Sequence, residues 1–553
     1  MSSATLNAMT TPEKVVSPAG SVTADRDVSQ TNTVVNGDAE AQPKKSAELS
    51  TNPHDDSAAY DHPLAQLGQA RKNFLLLIFS IASFVDICNV SGVAVAVAQI
   101  STDIGLDLSQ IVWIITSYSL TFASVLLFAG RLADLFPAQI IFEAGFLALG
   151  IISLVTSFVT SNKFGFLILR GIGGICGAMT IPSAFHLLVH MFPNPKEQQA
   201  KLALLGMSGA IGNVLGLVLA GLTMLANYRW FFRLIAIICL VFGITTILLL
   251  PLTGSPYKPD GVPRWKRLDL LGVVLMMGTL ICFILSLTQG PIDGWSAASF
   301  IAPFIITFPL AIGFFFWESR IPPKSAVLPS SVWKITNAII SSLGVMIAFP
   351  FWATSQLQYA TYFQEVFQWT PIHVAAAILP QGIMGLLIGV LSQFVPQIIT
   401  KPRISLPIGA LLIIVAEILQ IFSDGGAGMD YWRYCFPAYL LGSAGAVITY
   451  FASAINFITY SPPEMAGVSG AWTQVLAQVG GAVVLAVQAG LEGTDLANWK
   501  ISSARAFYFQ IGWTALLAIQ YVVFYKKPGT PEEEHIAARK RIADAGIDEG
   551  VIA

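Results

Sequence analysis

The strongest constraint on this chain is a series of apolar runs, each about as long as a helix that crosses a lipid bilayer. A bilayer core of about 30 Å requires roughly 20 residues of helix. Only 11% of the residues are charged, against about 25% in an ordinary soluble domain. We therefore predict an all-α integral membrane protein with about 14 spans. These lie near residues 73–97, 109–129, 138–160, 163–188, 200–224, 229–252, 269–288, 299–317, 337–361, 372–395, 404–423, 432–458, 464–489 and 504–525.

Long polar stretches occur only at the two ends and at residues 253–268. Residues 1–70 are rich in Ser, Thr, Asp and Ala, a composition that cannot offset the entropy lost on ordering. We predict a disordered tail there and a second, charged tail over 526–553. Since the other connections are short, no separate soluble domain is expected.

Lysine and arginine are distributed unequally between the two sets of connections. One set, with the N-terminus, carries about three times as many basic residues as the other; Arg71 and Lys201 belong to the first set, Lys163 and Arg229 to the second. By the positive-inside rule, both termini face the cytosol.

Several classes of function are disfavoured by composition. The net charge is −2, from 30 basic and 32 acidic residues, so no general attraction to nucleic acid is expected. Five scattered cysteines and six histidines form neither a disulfide framework nor a metal-ligand cluster, and no cofactor motif is present. No segment gathers a nucleophile, a base and an orienting group, so an enzyme is not predicted.

Asp86 lies in the middle of the first span, FSIASFVDICNVSGVAVAV. A charge at this depth costs at least about 2.5 kcal/mol, and such residues usually have a function. A carboxyl group here can load and release a proton as a cavity changes side. The alternative is a structural carboxylate that is hydrogen-bonded to Asn89 or to a neighbouring helix.

Two further ionisable residues lie inside predicted spans. Arg170, in FLILRGIGGICGAMTIPSAF, stays protonated at physiological pH. It can therefore tune a proton carrier but cannot be one, and the alternative is a clamp between two helices. Glu417, in the eleventh span, is either a second proton site or the partner of a hydroxyl group.

Glycines and a short charged loop suggest sites of helix contact and movement. Gly212 and Gly216, in GMSGAIGNVLGLVLAG, allow close helix packing. The loop GRLADLF supplies Gly130, Arg131 and Asp134, which could act as a conformational latch or be solvated loop charges.

The histidines at 186 and 190 share one helix face near the cytosolic end of the fourth span. They are interpreted as an interfacial pair, with a proton role as the alternative.

In combination, these motifs resemble the major facilitator superfamily, and within it the fourteen-spanner drug:proton antiporters. The residues that carry the likeness are VDICNVSGVAVAV, GRLADLF, LRGIGGICGAMTIPS, GNVLGLVLAG, RLDLLGVVLMMG, SQLQYATYFQEVFQWTP and PPEMAGVSGAWTQVLAQVGGA. The stretch TIPSAFHLLVHMFPNPKEQ is similar to a fungal subgroup that includes aminotriazole-resistance and low-affinity ammonium transporters. The resemblance covers residues 71–525.

The chain departs from the family pattern in two places. Leu135, Phe136 and Pro137 follow Asp134, where the family loop usually continues to basic residues. Leu217 follows Gly216, where the antiporter branch has a proline. These differences leave uniport or facilitated movement open.

The resemblance implies two six-helix bundles, 71–253 and 337–525, joined by a linker, 254–336, that contains two inserted spans. Such a protein is expected to work as a monomer in the lipid bilayer, where rocking of the bundles exposes a midplane cavity to each side in turn. The first bundle would line this cavity with Asp86, Asn89, Tyr118 and Arg170, and the second with Gln356, Gln358, Tyr359 and Tyr362. Each of these could equally face a neighbouring helix.

A cavity with few charges and many aromatic and amide side chains suits neutral or amphipathic molecules. We therefore predict a proton-coupled transporter that exports a drug-like toxin or a secreted metabolite across the cell membrane. The alternatives are a facilitator or importer of a small nutrient or ion such as ammonium, and a receptor that retains the fold. The vacuolar membrane is the alternative location.

Overall fold

Helices dominate the part of the chain that the computed structural model describes, and this part contains no β-strand. The described residues are 63–106, 113–159, 162–251, 268–322, 326–395, 397–461, 466–491, 499, 504–529 and 531–544. Most of the first predicted tail (1–62), the polar stretch 252–267 and the end of the chain (545–553) lie outside the described residues.

Within the described residues, fourteen helical segments are long and apolar enough to cross a membrane, which confirms the predicted fold class. The first eight are α1 (Gln69–Ile104), α2 (Trp113–Leu135), α3 (Ala138–Thr156), α4 (Lys163–Met191), α5 (Pro195–Thr223), α6 (Arg229–Leu249), α7 (Leu270–Asp293) and α8 (Ala298–Glu318). After a 3₁₀ turn, Ser330–Lys334, come α9 (Ala338–Val345), α10 (Ala348–Glu365), α11 (Pro371–Phe394), α12 (Pro402–Phe422), α13 (Phe436–Tyr460), α14 (Ala466–Leu491), α15 (Ala504–Phe524) and the short α16 (Pro531–Asp544).

The ninth span is broken into α9 and α10. Pro350 lies in the first turn of α10, where its missing N–H is tolerated. Asn162 before α4 and Asp269 before α7 are side-chain N-caps, which accept hydrogen bonds from the amides of Gly165 and Gly272. Helix α1 ends at Gly105, which has a left-handed φ of 66°.

Helices α1 to α6 form the first bundle, in which α1 packs along α5 and α4 packs between α2 and α3. Gly212 and Gly216 lie at the crossing of α1 and α5. A Cβ atom on Gly212 would lie 3.0 Å from the Cα of Phe84, and one on Gly216 would lie 3.0 Å from the Cα of Cys88. The two backbones can approach this closely only because both positions lack a side chain.

Helices α9 to α15 form the second bundle, and the inserted helices α7 and α8 pack on each other. The two bundles meet along α5 and α11 on one side and along α2 and α14 on the other. The α5–α11 contact is close, since a Cβ atom on Gly382 would lie 3.1 Å from the Cα of Val214.

We call one end of the molecule the tail end: here α1 begins, and α2, α6, α13 and α15 end. Arg71 near the start of α1 donates to the carbonyl oxygen of Leu249 at the end of α6, at 2.6 Å. Asn337, before α9, donates to the carbonyl oxygen of Lys526, after α15, at 2.7 Å. The two bundles meet at this end too, since a Cβ atom on Gly130 near the end of α2 would lie 3.9 Å from Ala471 near the start of α14. The described residues that flank the two predicted tails therefore lie at the same end.

Candidate functional site

A cavity of about 1190 Å³ lies between the two bundles. It reaches the tail end, because its wall includes Arg131 near the end of α2, His190 near the end of α4 and Tyr460 at the end of α13. At the other end the bundles touch: a Cβ atom on Gly221 of α5 would lie 3.2 Å from the Cα of Ile372 of α11. The described cavity wall therefore extends to the tail end, while α5 and α11 are in contact at the other end.

The wall of this cavity is mostly apolar, with hydroxyl and amide groups between the apolar side chains. The aromatic wall residues are Phe185, Phe349, Trp352, Tyr450, Phe451 and Tyr460. The amide side chains are Asn213, Gln356, Asn456, Gln474 and Gln478. Among the described wall residues, guanidinium and imidazole side chains occur only at the tail end, at Arg131, His186 and His190, and no wall residue carries a carboxyl group.

Asp86 lies in a buried polar cluster inside the first bundle. Its Oδ1 atom accepts a 2.6 Å hydrogen bond from the hydroxyl group of Tyr118 on α2. Only 4% of Asp86 is exposed. Gly177 on α4 provides the space for this bond, since a Cβ atom there would lie 2.5 Å from the Tyr118 hydroxyl oxygen and 3.1 Å from Asp86 Oδ1.

Arg170 on α4 joins three helices through this cluster. Its Nε atom donates to the carbonyl oxygen of Ile114 on α2 at 3.1 Å, and Nη2 donates to that of Asn89 on α1 at 3.2 Å. The guanidinium group lies 4.8 Å from the centre of the Tyr118 ring, where a cation is attracted to the ring face. Asp86 and Arg170 are thus connected through Tyr118.

This cluster lies behind the cavity wall, not on it. The wall residues of α1 are Ser83, Ile87, Val90, Ser91 and Ala94. Asn89 and Tyr118, which the sequence predicts to line the large cavity, instead border with Arg170 a separate space of about 10 Å³, large enough for roughly one water molecule. Each is 1% exposed.

The second bundle contributes one of its four predicted cavity residues to the wall. Gln356 lies on the wall, and its Nε2 atom donates to Asn213 Oδ1 of α5 at 3.1 Å. Gln358 instead accepts a hydrogen bond from Gln488 of α14.

The other two predicted residues belong to a buried aromatic cluster. Tyr359 shares a 2.9 Å hydrogen bond with Ser423, and its ring lies 4.9 Å from that of Trp499. The ring of Tyr362 packs edge-on against the same tryptophan at 4.9 Å. Tyr359 and Tyr362 therefore pack in the interior of the second bundle and do not line the cavity.

Glu417 is fully buried on α12, which packs chiefly against α13 and α15. Neither of its carboxyl oxygens makes a hydrogen bond to the described residues. The structure therefore places Glu417 in the second bundle, apart from the Asp86 cluster of the first.

The predicted latch lies at the tail end of α2. A Cβ atom on Gly130 would lie 3.7 Å from Pro182 of α4 and 3.9 Å from Ala471 of α14, so this glycine lies where both bundles meet. Arg131 follows it on the cavity wall. The side chain of Asp134 lies outside the described residues.

His186 and His190 stack with their ring centres 4.4 Å apart on the cavity wall. The Nδ1 atom of His190 lies 2.8 Å from the carbonyl oxygen of His186. Because a carbonyl oxygen only accepts, this nitrogen carries the hydrogen.

Asn213 was missed by the sequence analysis, although it lies in the glycine-rich run GAIGNVLG that was singled out for packing. A polar amide within an apolar span was the available signal, because polar groups in membrane helices usually face the bundle interior or a cavity.

Comparisons with known proteins agree with this architecture. The family model described as Major Facilitator Superfamily matches residues 79–485. The chain is 24% identical to the efflux pump terJ of Aspergillus terreus over 80% of this chain and 85% of that protein. It is 26% identical to the low affinity ammonium transporter of Saccharomyces cerevisiae over 65% of this chain and 69% of that protein. A crystal structure of the peptide transporter POT in complex with sulfate is similar in fold, with a TM-score of 0.60 at 15% identity over 85% of this chain and 99% of that one.

Proposed function

The chain belongs to the major facilitator superfamily of membrane transporters, and from that premise we propose that it exports a small organic molecule in exchange for protons. The superfamily and the curated relatives are transporters, so the described cavity is a route for a small-molecule substrate across the bilayer. The efflux pump of Aspergillus terreus supports the outward direction.

The observation that carries the proposal is the Asp86–Tyr118–Arg170 cluster directly behind the α1 wall of the cavity. A carboxyl group at bilayer depth can exchange one proton, whereas the guanidinium group of Arg170 keeps its charge. Arg170 contacts both α1 and α2. A change in the charge of Asp86 therefore alters the attraction among the three helices that hold it.

We propose the following cycle. The tail-open state takes up substrate from the tail side, and the bundles then rock about the bound molecule to open the other side. There the substrate leaves and Asp86 takes up a proton, which is released to the tail side after the return movement. The proton gradient thereby drives export.

The cavity supports a neutral or amphipathic substrate. Its deep wall consists of aliphatic, aromatic, hydroxyl and amide groups among the described residues. An organic ion would lose its hydration there without gaining a charged partner. Stacking on Trp352 and Tyr450 and hydrogen bonds to amides suit a drug-like or secreted metabolite.

We further propose that the functional protein is a monomer in the cell membrane, with the tail end in the cytosol. The larger number of basic residues in the connections predicted on that side of the membrane supports this orientation.

The proposed units are the bundles 71–253 and 337–525, the linker 254–336 and the tails 1–70 and 526–553. Glu417 is proposed as a second proton site, and Gly130, Arg131 and Asp134 as a latch that holds one state.

Ammonium uptake is the second candidate function, favoured by the likeness to the yeast low affinity ammonium transporter. A cavity of about 1190 Å³ with aromatic walls is much larger than this ion. Export of an organic molecule therefore fits the geometry better.

The test is an untargeted comparison of small molecules inside and outside cells that lack the gene, carry it, or carry Asp86→Asn. Export predicts a compound that accumulates inside both the deletion and the Asp86→Asn cells. Glu143→Gln, a half-buried carboxyl group on α3, is the matched control and should export normally. A compound that fails to enter the deletion cells would instead indicate import.

A further inference from the structure

We propose that Asn213 and Gln356 form the specificity site of the cavity and select molecules that present a hydrogen-bond donor and an acceptor side by side, as a lactam or a cyclic imide does. The inference rests on the proposed function and names a substrate class for it.

The two side chains come from different bundles. Asn213 lies on α5 and Gln356 on α10, and both are part of the cavity wall. Gln356 Nε2 donates to Asn213 Oδ1 at 3.1 Å, a direct hydrogen bond between the two halves of the molecule. Gln356 as a whole is only 6% exposed, although it lies on the cavity wall.

The bond lies beside a close approach of the bundles. Val214, the residue after Asn213, packs against Gly382 of α11, where a Cβ atom would lie 3.1 Å from the valine Cα. Since α5 and α11 pack together along their length, the distance between the two amides is controlled by the relative position of the bundles.

Each of the two primary amides carries both a donor and an acceptor, so the bond between Asn213 and Gln356 leaves one donor and one acceptor group facing other partners. The observed bond uses one N–H of Gln356 and the oxygen of Asn213. Gln356 Oε1 and the amino group of Asn213 are left for other partners. The reversed arrangement would also leave one acceptor and one donor, so the site presents both kinds of group whichever way the bond runs.

A molecule with an adjacent N–H and C=O can replace the amide–amide bond by bonding to both side chains. It then holds the two bundles through one ligand, which couples binding to their movement. Ser91, which donates to the carbonyl oxygen of Gly212 next to Asn213, and Trp352, one turn before Gln356, are uncharged, so the site favours a neutral edge over an ion. A site built for hydrogen bonding discriminates strongly against analogues that lack the bonding group, because its own buried groups are then left unpaired.

The test uses three matched pairs of probes: phenylglutarimide, diphenylhydantoin and carbostyril, each against its fully N-methylated analogue. Methylation removes the N–H donor and adds apolar surface. Binding is measured by ligand-induced thermal stabilisation of the purified full-length chain in detergent. We expect at least one N–H probe to bind at least about ten-fold more tightly than its methylated analogue.

Variants then assign this preference to the amide pair. Asn213→Leu and Gln356→Leu should each abolish the preference, and either suffices if the other fails to fold. Gln364→Leu is the matched control, because Gln364 is a half-buried amide on the same helix as Gln356, bonds within that helix to the carbonyl oxygen of Ala360, and is not among the described wall residues. It should retain the preference.

Equal binding of the N–H and N-methyl probes, a preference that survives both Leu variants, or no binding of any probe would each overturn the inference. The assay needs no proton gradient. If the wild-type chain shows no proton-driven export, that result counts against the proposed function alone. If the wild-type chain does not prefer the N–H probes, that result counts against this inference alone.

Discussion

The hydroxyl group of Tyr118 donates a 2.6 Å hydrogen bond to Asp86, and this bond connects α2 to the acidic side chain in the middle of α1. The ring of the same tyrosine lies under the guanidinium group of Arg170 at 4.8 Å. One side chain therefore contacts both the group proposed to carry a proton and the fixed cation beside it.

Tyr118→Phe removes the hydroxyl donor but keeps the ring under Arg170. Asp86 then loses the hydrogen bond that Tyr118 donates, which costs about 1–3 kcal/mol in a buried site. We expect a lower unfolding temperature and weaker proton-driven export. Thermal unfolding in detergent checks the first effect. Tyr508→Phe on the exposed face of α15 should change neither. An unchanged unfolding temperature would contradict the assigned bond.

Arg170→Lys keeps the positive charge but loses the planar group that bonds to Ile114 and Asn89. We expect the transport rate to fall at least about ten-fold. A rise of about 1.4 kcal/mol in the activation free energy of the transport cycle already produces that factor. Initial rates of substrate export measure this effect. Arg233→Lys on α6, where the guanidinium group lies over Trp230 outside the cluster, should transport nearly normally. Equal rates for the two variants would argue that Arg170 contributes charge alone.

Gly177→Ala places a methyl group where the Tyr118–Asp86 bond lies. The new Cβ atom would be 2.5 Å from the tyrosine hydroxyl oxygen, so the two helices must separate or the bond must break. We expect a destabilisation of about 1–3 kcal/mol, typical of overpacking, together with reduced export. Gly512→Ala is the control, because no atom lies within 4 Å of a Cβ atom there. Similar stability of both variants would show that the space at Gly177 is not needed.

Cysteine labelling tests the opening at the tail end. Gln474→Cys, on the cavity wall, should react quickly with a membrane-impermeant thiol reagent added from the tail side. Asn89→Cys, which is 1% exposed behind α1, should react slowly under the same conditions. Protection of Gln474→Cys from the tail side, with reaction from the other side, would contradict access to the cavity from the tail end.

The fold was largely predictable because the length of an apolar run directly reflects the thickness of the bilayer. All 14 predicted spans have helical counterparts, and the motif likeness to the major facilitator superfamily is confirmed by the family match. The break in the ninth span was not predicted, although Pro350 supplied a signal for it.

The faces of the helices were much harder to predict. A span is apolar both toward lipid and toward its neighbours, so periodicity does not distinguish the cavity side from the bundle side. Asp86 was recognisable as an intramembrane acid, whereas the position of Asn89 and Tyr118 behind the wall depends on how α1, α2 and α4 pack. Tyr359 and Tyr362 carry polar groups yet pack with Trp499, a contact between residues far apart in the sequence.

The central claim is that Asp86 couples substrate movement to protons. The most direct test compares two assays in proteoliposomes that contain Asp86→Asn, using the substrate identified by the export comparison. We predict that the variant still exchanges labelled for unlabelled substrate across the membrane but no longer accumulates it when a proton gradient is imposed. Accumulation at the wild-type level under that gradient would show that Asp86 is not needed for proton coupling.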